Sequence, residues 1–129
     1  MYSLNEFSVN LGIMAAGAGT VLVPIFYNPD GNGRITVVHA SSVSVGVGAV
    51  GTAHLRLVDL GTSGTVTEGD VLWNLGSSGT TTVYDGYVPI IGSAVDAVLE
   101  AGHWMGVEHG PGTAGTLTIV TVGWIKGVA

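Results

Sequence analysis

The sequence predicts an all-β fold: a jelly-roll-like sandwich or barrel of about eight or nine antiparallel strands preceded by an N-terminal arm. Composition is the first reason. Glycine supplies 22 of the 129 residues, valine is nearly as common and threonine is abundant. β-Branched residues suit a half-buried pleated surface, and glycine suits the turns that join short strands. The second reason is punctuation: Gly, Pro, Asn and Asp interrupt the chain at intervals of about eight to twelve residues, the spacing of a sandwich or barrel. The third is that apolar residues between these interruptions alternate with a period of two. The length allows one domain with a two-layer core.

The elements follow in order. Residues 1–12 read as an arm, with Phe7, Val9 and Leu11 alternating, that either reaches a neighbouring molecule or folds as the first strand of its own domain, and residues 13–129 as a single β-sandwich domain. A strand is predicted over 19–27, where Pro24 requires an edge position or a bulge because it has no N–H to donate. Asn28-Pro-Asp-Gly-Asn-Gly33 is the clearest turn. A long strand over 34–46 puts Ile35, Val37, Val43 and Val45 on one face. In the strand over 52–60, Leu55, Leu57 and Asp59 oppose His54, Arg56 and Val58. Short strands are predicted over 70–75 and 81–88. The stretch 94–100 fits helix or strand, and the flanking Gly92 and Gly102 favour a strand. Strands over 103–109 and 115–126 complete the set. In the last, Leu117, Ile119 and Ile125 face one way and Val120, Val122 and Trp124 the other, so one face packs the core and the second calls for cover.

Charge and composition exclude several functions. Only 9% of the residues are charged, against about 25% in a typical soluble domain. With 47% hydrophobic residues, this implies that part of the surface is buried by assembly. The net charge of −6 leaves Arg34, Arg56 and Lys126 as scattered cations, which argues against binding nucleic acid or an anionic membrane. There is no cysteine for a disulfide, a thiolate nucleophile or a zinc site. Residues 1–6 lack the basic region of a signal peptide. The apolar run from Leu11 to Tyr27 is broken by Gly12, Gly17, Gly19 and Pro24, which disfavours a membrane span.

No catalytic, cofactor or metal site is expected. A β-fold metal site wants two histidines close together on one strand face, whereas His39, His54, His103 and His109 are dispersed. Six residues of strand separate the last two by roughly 20 Å. The pairing weighed for a metal is His54 with Asp59, and surface or interface histidines are the better expectation. Glu68 and Asp70 could hold a weak cation, but Thr67-Glu-Gly-Asp reads as a turn with solvated acids. Gly46-Val-Gly-Ala-Val-Gly51 has the letters of a dinucleotide fingerprint without the helix that must follow it. Trp73, Trp104 and Trp124, with Tyr84 and Tyr87, could form a sugar-stacking platform. Packing in the core or at a subunit interface is the stronger reading. Phe7, Val9, Leu11, Trp104 and Trp124 are therefore the candidate assembly contacts.

Four segments carry a resemblance: Ala18-Gly-Thr-Val-Leu-Val-Pro-Ile-Phe with Gly33-Arg-Ile-Thr-Val-Val-His-Ala-Ser; His54-Leu-Arg-Leu-Val-Asp-Leu-Gly-Thr-Ser-Gly-Thr; Leu99-Glu-Ala-Gly-His-Trp-Met-Gly-Val; and Gly115-Thr-Leu-Thr-Ile-Val-Thr-Val-Gly-Trp-Ile-Lys-Gly. Together they span most of the chain after residue 12, and the pattern resembles the small capsid decoration, or cement, proteins of tailed bacteriophages. That family has no functional motif to transfer residue by residue. The resemblance implies a homotrimer, made in the host cytoplasm and seated on the outer surface of the phage head. There its partner would be the major capsid protein, whose lattice it stabilises. The alternative is a carbohydrate-binding module or the receptor-binding tip of a viral fibre, and a cupin-type enzyme comes third.

Overall fold

The computed structural model describes residues 4–14, 21–46, 55–62, 70–75, 93–109 and 116–127. They form nine strands: β1 (Asn5–Met14), β2 (Val21–Tyr27), β3 (Ile35–Gly46), β4 (Leu55–Asp59), β5 (Asp70–Asn74), β6 (Ser93–Ala94), β7 (Val98–Leu99), β8 (Trp104–His109) and β9 (Thr116–Lys126). One sheet has the order β1-β9-β3-β7 and the other β2-β8-β4-β5-β6. Every pairing is antiparallel. The interleaving of early and late strands in both sheets is the winding of a jelly roll, with the first and last strands side by side.

The core lies between the sheets. Ile35, Val37, Ala40, Val120, Val122 and Trp124 contribute from the four-stranded sheet, and Leu55, Leu57, Leu72, Met105 and Val107 from the other. On the last strand Val120, Val122 and Trp124 are buried inside and Ile119 is exposed on the opposite face as expected, whereas Ile125, expected to share the face of Ile119, is buried. Pro24 lies on the edge strand β2, and the β2–β8 register shifts between Pro24 and Phe26. A proline without an N–H is tolerated at such an edge and at such a shift. The Asn28–Gly33 turn closes with one turn of 3-10 helix, Asp30–Asn32, and Gly33 at φ 62°.

Asn28 anchors this end of the sandwich. It is fully buried, and its Nδ2 donates to the carbonyls of Gly33 (2.9 Å), Glu100 (3.0 Å) and Leu99 (3.3 Å). Its Oδ1 accepts from Asn32 Nδ2 at 3.2 Å. Its backbone N–H donates to His103 O, and its carbonyl accepts from Gly102 N–H. One side chain thus ties the β2–β3 turn to the β7–β8 turn. Buried polar groups are retained when they are satisfied in this way.

Three expectations are corrected. Residues 5–12, read as part of an arm, form most of β1, which pairs with β9 from Asn5 opposite Trp124 to Met14 opposite Thr116. Alternating Phe7, Val9 and Leu11 pack as a strand of the chain's own sheet, with Phe7 and Leu11 against the core. Second, β3 does not keep one parity. Its register against β9 shifts between Val37 and His39, so Ala40 and Ser42 face inward and Val43 lies opposite Ile119 on the outer face. A bulge inserts one residue, and every later side chain changes face. Third, the 94–100 stretch is two short strands, Ser93–Ala94 and Val98–Leu99, which pair with different sheets. The strand expected over 81–88 lies outside the described residues.

Candidate functional site

Two surfaces stand out, one on the outer face of each sheet. On the four-stranded sheet, β1, β9 and β3 present three cross-strand rows. They are Glu6, Gly123 and His39; Ser8, Thr121 and Ser41; and Asn10, Ile119 and Val43. Ser8 Oγ and Thr121 Oγ1 are hydrogen-bonded at 2.8 Å across the middle row. Leu4, 60% exposed, lies against the bare Cα of Gly123, where a Cβ would meet Leu4 Cδ1 at 3.4 Å and His39 Cβ at 3.6 Å. Val38 and Ile119 are also exposed on this sheet. Glu6 is the single carboxylate or cation in these rows, so the face is short-chained and nearly uncharged.

The outer face of the five-stranded sheet differs. Tyr27 and Trp104 are cross-strand partners with ring centroids 5.0 Å apart and planes tilted by 50°. Leu60 folds over Gly106 beside them. Val58 and Leu60 are buried yet lie outside the main core cluster. Further along, Arg56 lies directly opposite Glu108, with 3.6 Å between Nη1 and Oε1.

At the rim of that face, His103 Nδ1 lies 3.0 Å from both carboxylate oxygens of Asp59. The same carboxylate accepts from Gly61 N–H at 2.8 Å. Leu60 N–H donates to Trp104 O, and Trp104 N–H donates to Gly61 O. This is a turn lock, in which Asp59 caps its own turn and His103 holds it to the start of β8. A His–carboxylate pair can also orient a general base, but it needs a neighbouring nucleophile or third ligand. No group of three or more His, Asp or Glu able to hold a metal exists among the described residues.

The sequence-predicted residues fall as follows. Trp124 and Trp73 are each 8% exposed and belong to the core. Trp124 packs on Phe26 with centroids 5.5 Å apart. Phe7 and Leu11 pack against the core from β1, and Val9 is half-buried opposite Val120. Trp104 alone of the five lies on an outer face. Asp59, weighed with His54 for a metal, is paired with His103; His54 lies outside the described residues. Asp70 is exposed and opposite Asp59, and Glu68, Tyr84, Tyr87 and residues 47–51 also lie outside the described residues. Sequence reasoning missed Asn28 as a hub and the Asp59–His103 pair. The signal for the first was Asn28 before Pro29, since an asparagine entering a turn bonds to nearby backbone.

The fold class is therefore a jelly-roll β-sandwich with one nearly uncharged outer face and one aromatic outer face. No protein-family model matches the chain, and no curated protein matches it. Among solved structures, one of infectious bursal disease virus, Gx strain, is similar at a TM-score of 0.36 and 14% identity, over 95% of this chain. The alignment spans 31% of that chain's length. So distant a likeness bears on neither the topology nor the function, which rest on the pairing and faces above.

Proposed function

We propose that the protein is a virion structural subunit: a capsid decoration, or cement, protein that binds the outer surface of a phage head and stabilises the major capsid lattice. The observation that carries this reading is the β1-β9-β3 outer face. It is wide, built of short side chains and nearly free of charge, and it leaves Leu4, Val38 and Ile119 exposed. Depletion of charge is the compositional mark of protein interface cores. The β1 strand that forms one third of this face is also held to the core by Phe7 and Leu11, so the surface is rigid before it meets a partner. A rigid face loses little conformational entropy on docking. Repetition over a lattice then makes weak single contacts effective.

The same reading takes the protein to be a homotrimer without cofactor or catalytic activity, localised to the virion. Two of its three cations are engaged with acids: Arg34 Nε lies 3.0 Å from Glu100 Oε2, and Arg56 pairs with Glu108. That arrangement supports a protein partner over nucleic acid. The test is mass in solution together with co-sedimentation on undecorated capsids. Trimers that saturate capsids, and that lose binding on Ile119→Lys, are the expected result; a monomer that ignores capsids overturns the proposal.

A further inference from the structure

We infer a second binding site, for a neutral saccharide, at the rim formed by Tyr27, Asp30 and Gly102. It stands apart from the β1-β9-β3 face and does not depend on the assembly reading.

Tyr27 is 41% exposed although it belongs to a strand, and Trp104 props its ring from one side at 5.0 Å. Gly102 follows in the β7–β8 turn with φ 79°, a backbone conformation that excludes a side chain at little cost only for glycine. Its bare Cα lets the Asp30 carboxylate and the Tyr27 hydroxyl come close to the turn. A Cβ there would stand 3.2 Å from Asp30 Oδ1 and 4.0 Å from the Tyr27 hydroxyl. A carboxylate acceptor and a phenol that both donates and accepts thus converge on the Gly102 backbone, beside an exposed aromatic ring. Among the described residues, neither Asp30 Oδ1 nor the Tyr27 hydroxyl has a hydrogen-bond partner.

That combination matches a pyranose ring. Its C–H face stacks on an aromatic ring, and its adjacent hydroxyls donate to a carboxylate and exchange hydrogen bonds with a phenol. The site is also pre-formed. Asn28, between Tyr27 and the Asp30 turn, is locked by its bonds to Gly33, Leu99 and Glu100, and Gly102 N–H donates to Asn28 O. An extended peptide is the poorer fit, because the adjacent edge strand β2 offers Pro24, which has no N–H to pair. Acidic sugars are disfavoured by Asp30 and by the net charge of −6. The neighbouring Asp59 and His103 satisfy each other and hold the frame.

The test is a titration of the whole protein with the methyl glycosides of glucose, galactose, mannose and N-acetylglucosamine, with N-acetylneuraminic acid for comparison. Binding is followed by calorimetry and by the fluorescence of Trp104, the half-buried tryptophan beside the site. Saturable millimolar binding of at least one neutral glycoside is expected. Tyr27→Ala should weaken it by about tenfold or more, and Asp30→Asn and Tyr27→Phe should weaken it less, with unchanged circular dichroism. Absence of saturable binding across the neutral set overturns the site. So does binding that survives Tyr27→Ala and Asp30→Asn intact, or a preference for the acidic sugar. Capsid co-sedimentation by Asp30→Asn should be unchanged, which separates this site from the assembly face.

Discussion

Phe7 of β1 stacks on Phe26 of β2 with ring centroids 5.1 Å apart and planes within 15°, although the two strands belong to different sheets. Phe26 in turn meets Trp124 of β9. The two edge strands are thereby joined through an aromatic bridge at one side of the sandwich. Full truncation of a buried phenylalanine costs about 3–5 kcal/mol, and Phe7 is only partly buried. Phe7→Ala should therefore cost about 2 kcal/mol, and Phe26→Ala somewhat more. Chemical denaturation checks both, and a double-mutant cycle should show coupling, because both changes open the same contact.

Deletion of residues 1–12 follows from the same bridge. An arm could be removed with the fold intact. A strand that pairs along β9 and inserts Phe7 and Leu11 cannot, since its loss exposes the β9 edge and one side of the core. The truncated chain should lose its cooperative thermal transition. A sharp, native-like transition in the deletion variant would show that β1 is dispensable.

Most of the fold was legible because period-two alternation and turn chemistry are local signals. Pro24 at an edge and the Asn28–Gly33 reversal were readable residue by residue. Faces were less legible: alternation alone puts Val43 with Ile35 and Val37, whereas the bulge after Val37 turns it outside. Nothing local in Val37-Val38-His39 announces an inserted residue, because the bulge is defined only against β9. The partner of β1 is not legible for a similar reason. An alternating strand is identical in sequence whether it pairs with its own sheet or a neighbour's. The Asp59–His103 contact joins residues 44 positions apart, a separation that no spacing rule reaches.

Asn28→Ala should be among the most damaging single substitutions, costing about 3 kcal/mol, because the buried carbonyl of Leu99 and the part-buried carbonyls of Gly33 and Glu100 lose their donor. Asn28→Asp should be worse at neutral pH, although the side chains match in size. It would turn a carboxylate toward three carbonyl oxygens in a site without solvent. Burial and those oxygens would raise the introduced carboxyl's pKa in the folded state. The folded form then binds more protons than the unfolded one, so this variant alone should regain stability as the pH falls. Denaturation midpoints of the two variants at neutral and acid pH check the crossover.

Ser42 gives the opposite sign. Its side chain is 1% exposed and, among the described residues, its Oγ has no hydrogen-bond partner. It faces inward opposite Val120. An unsatisfied buried hydroxyl carries its desolvation cost without return, so Ser42→Ala should leave stability unchanged or raise it by up to about 1 kcal/mol. A destabilisation beyond that in urea titrations would mean the hydroxyl is bonded in solution.

Gly106 tests how tightly the aromatic outer face is built. A Cβ there would stand 2.5 Å from Leu60 Cδ1 and 3.1 Å from the carbonyl oxygen of Val23. The leucine tip can turn aside, whereas the β2 backbone can give only by straining its pairing with β8. Gly106→Ala should cost about 1–3 kcal/mol, the range for overpacking. If the leucine is the main obstacle, Leu60→Ala and Gly106→Ala together should cost less than the sum of the two single changes. If the Val23 carbonyl dominates, the costs should add. Because Leu60 N–H bonds to Trp104 O, the double variant should also shift Trp104 fluorescence, reporting movement of the Tyr27–Trp104 pair directly.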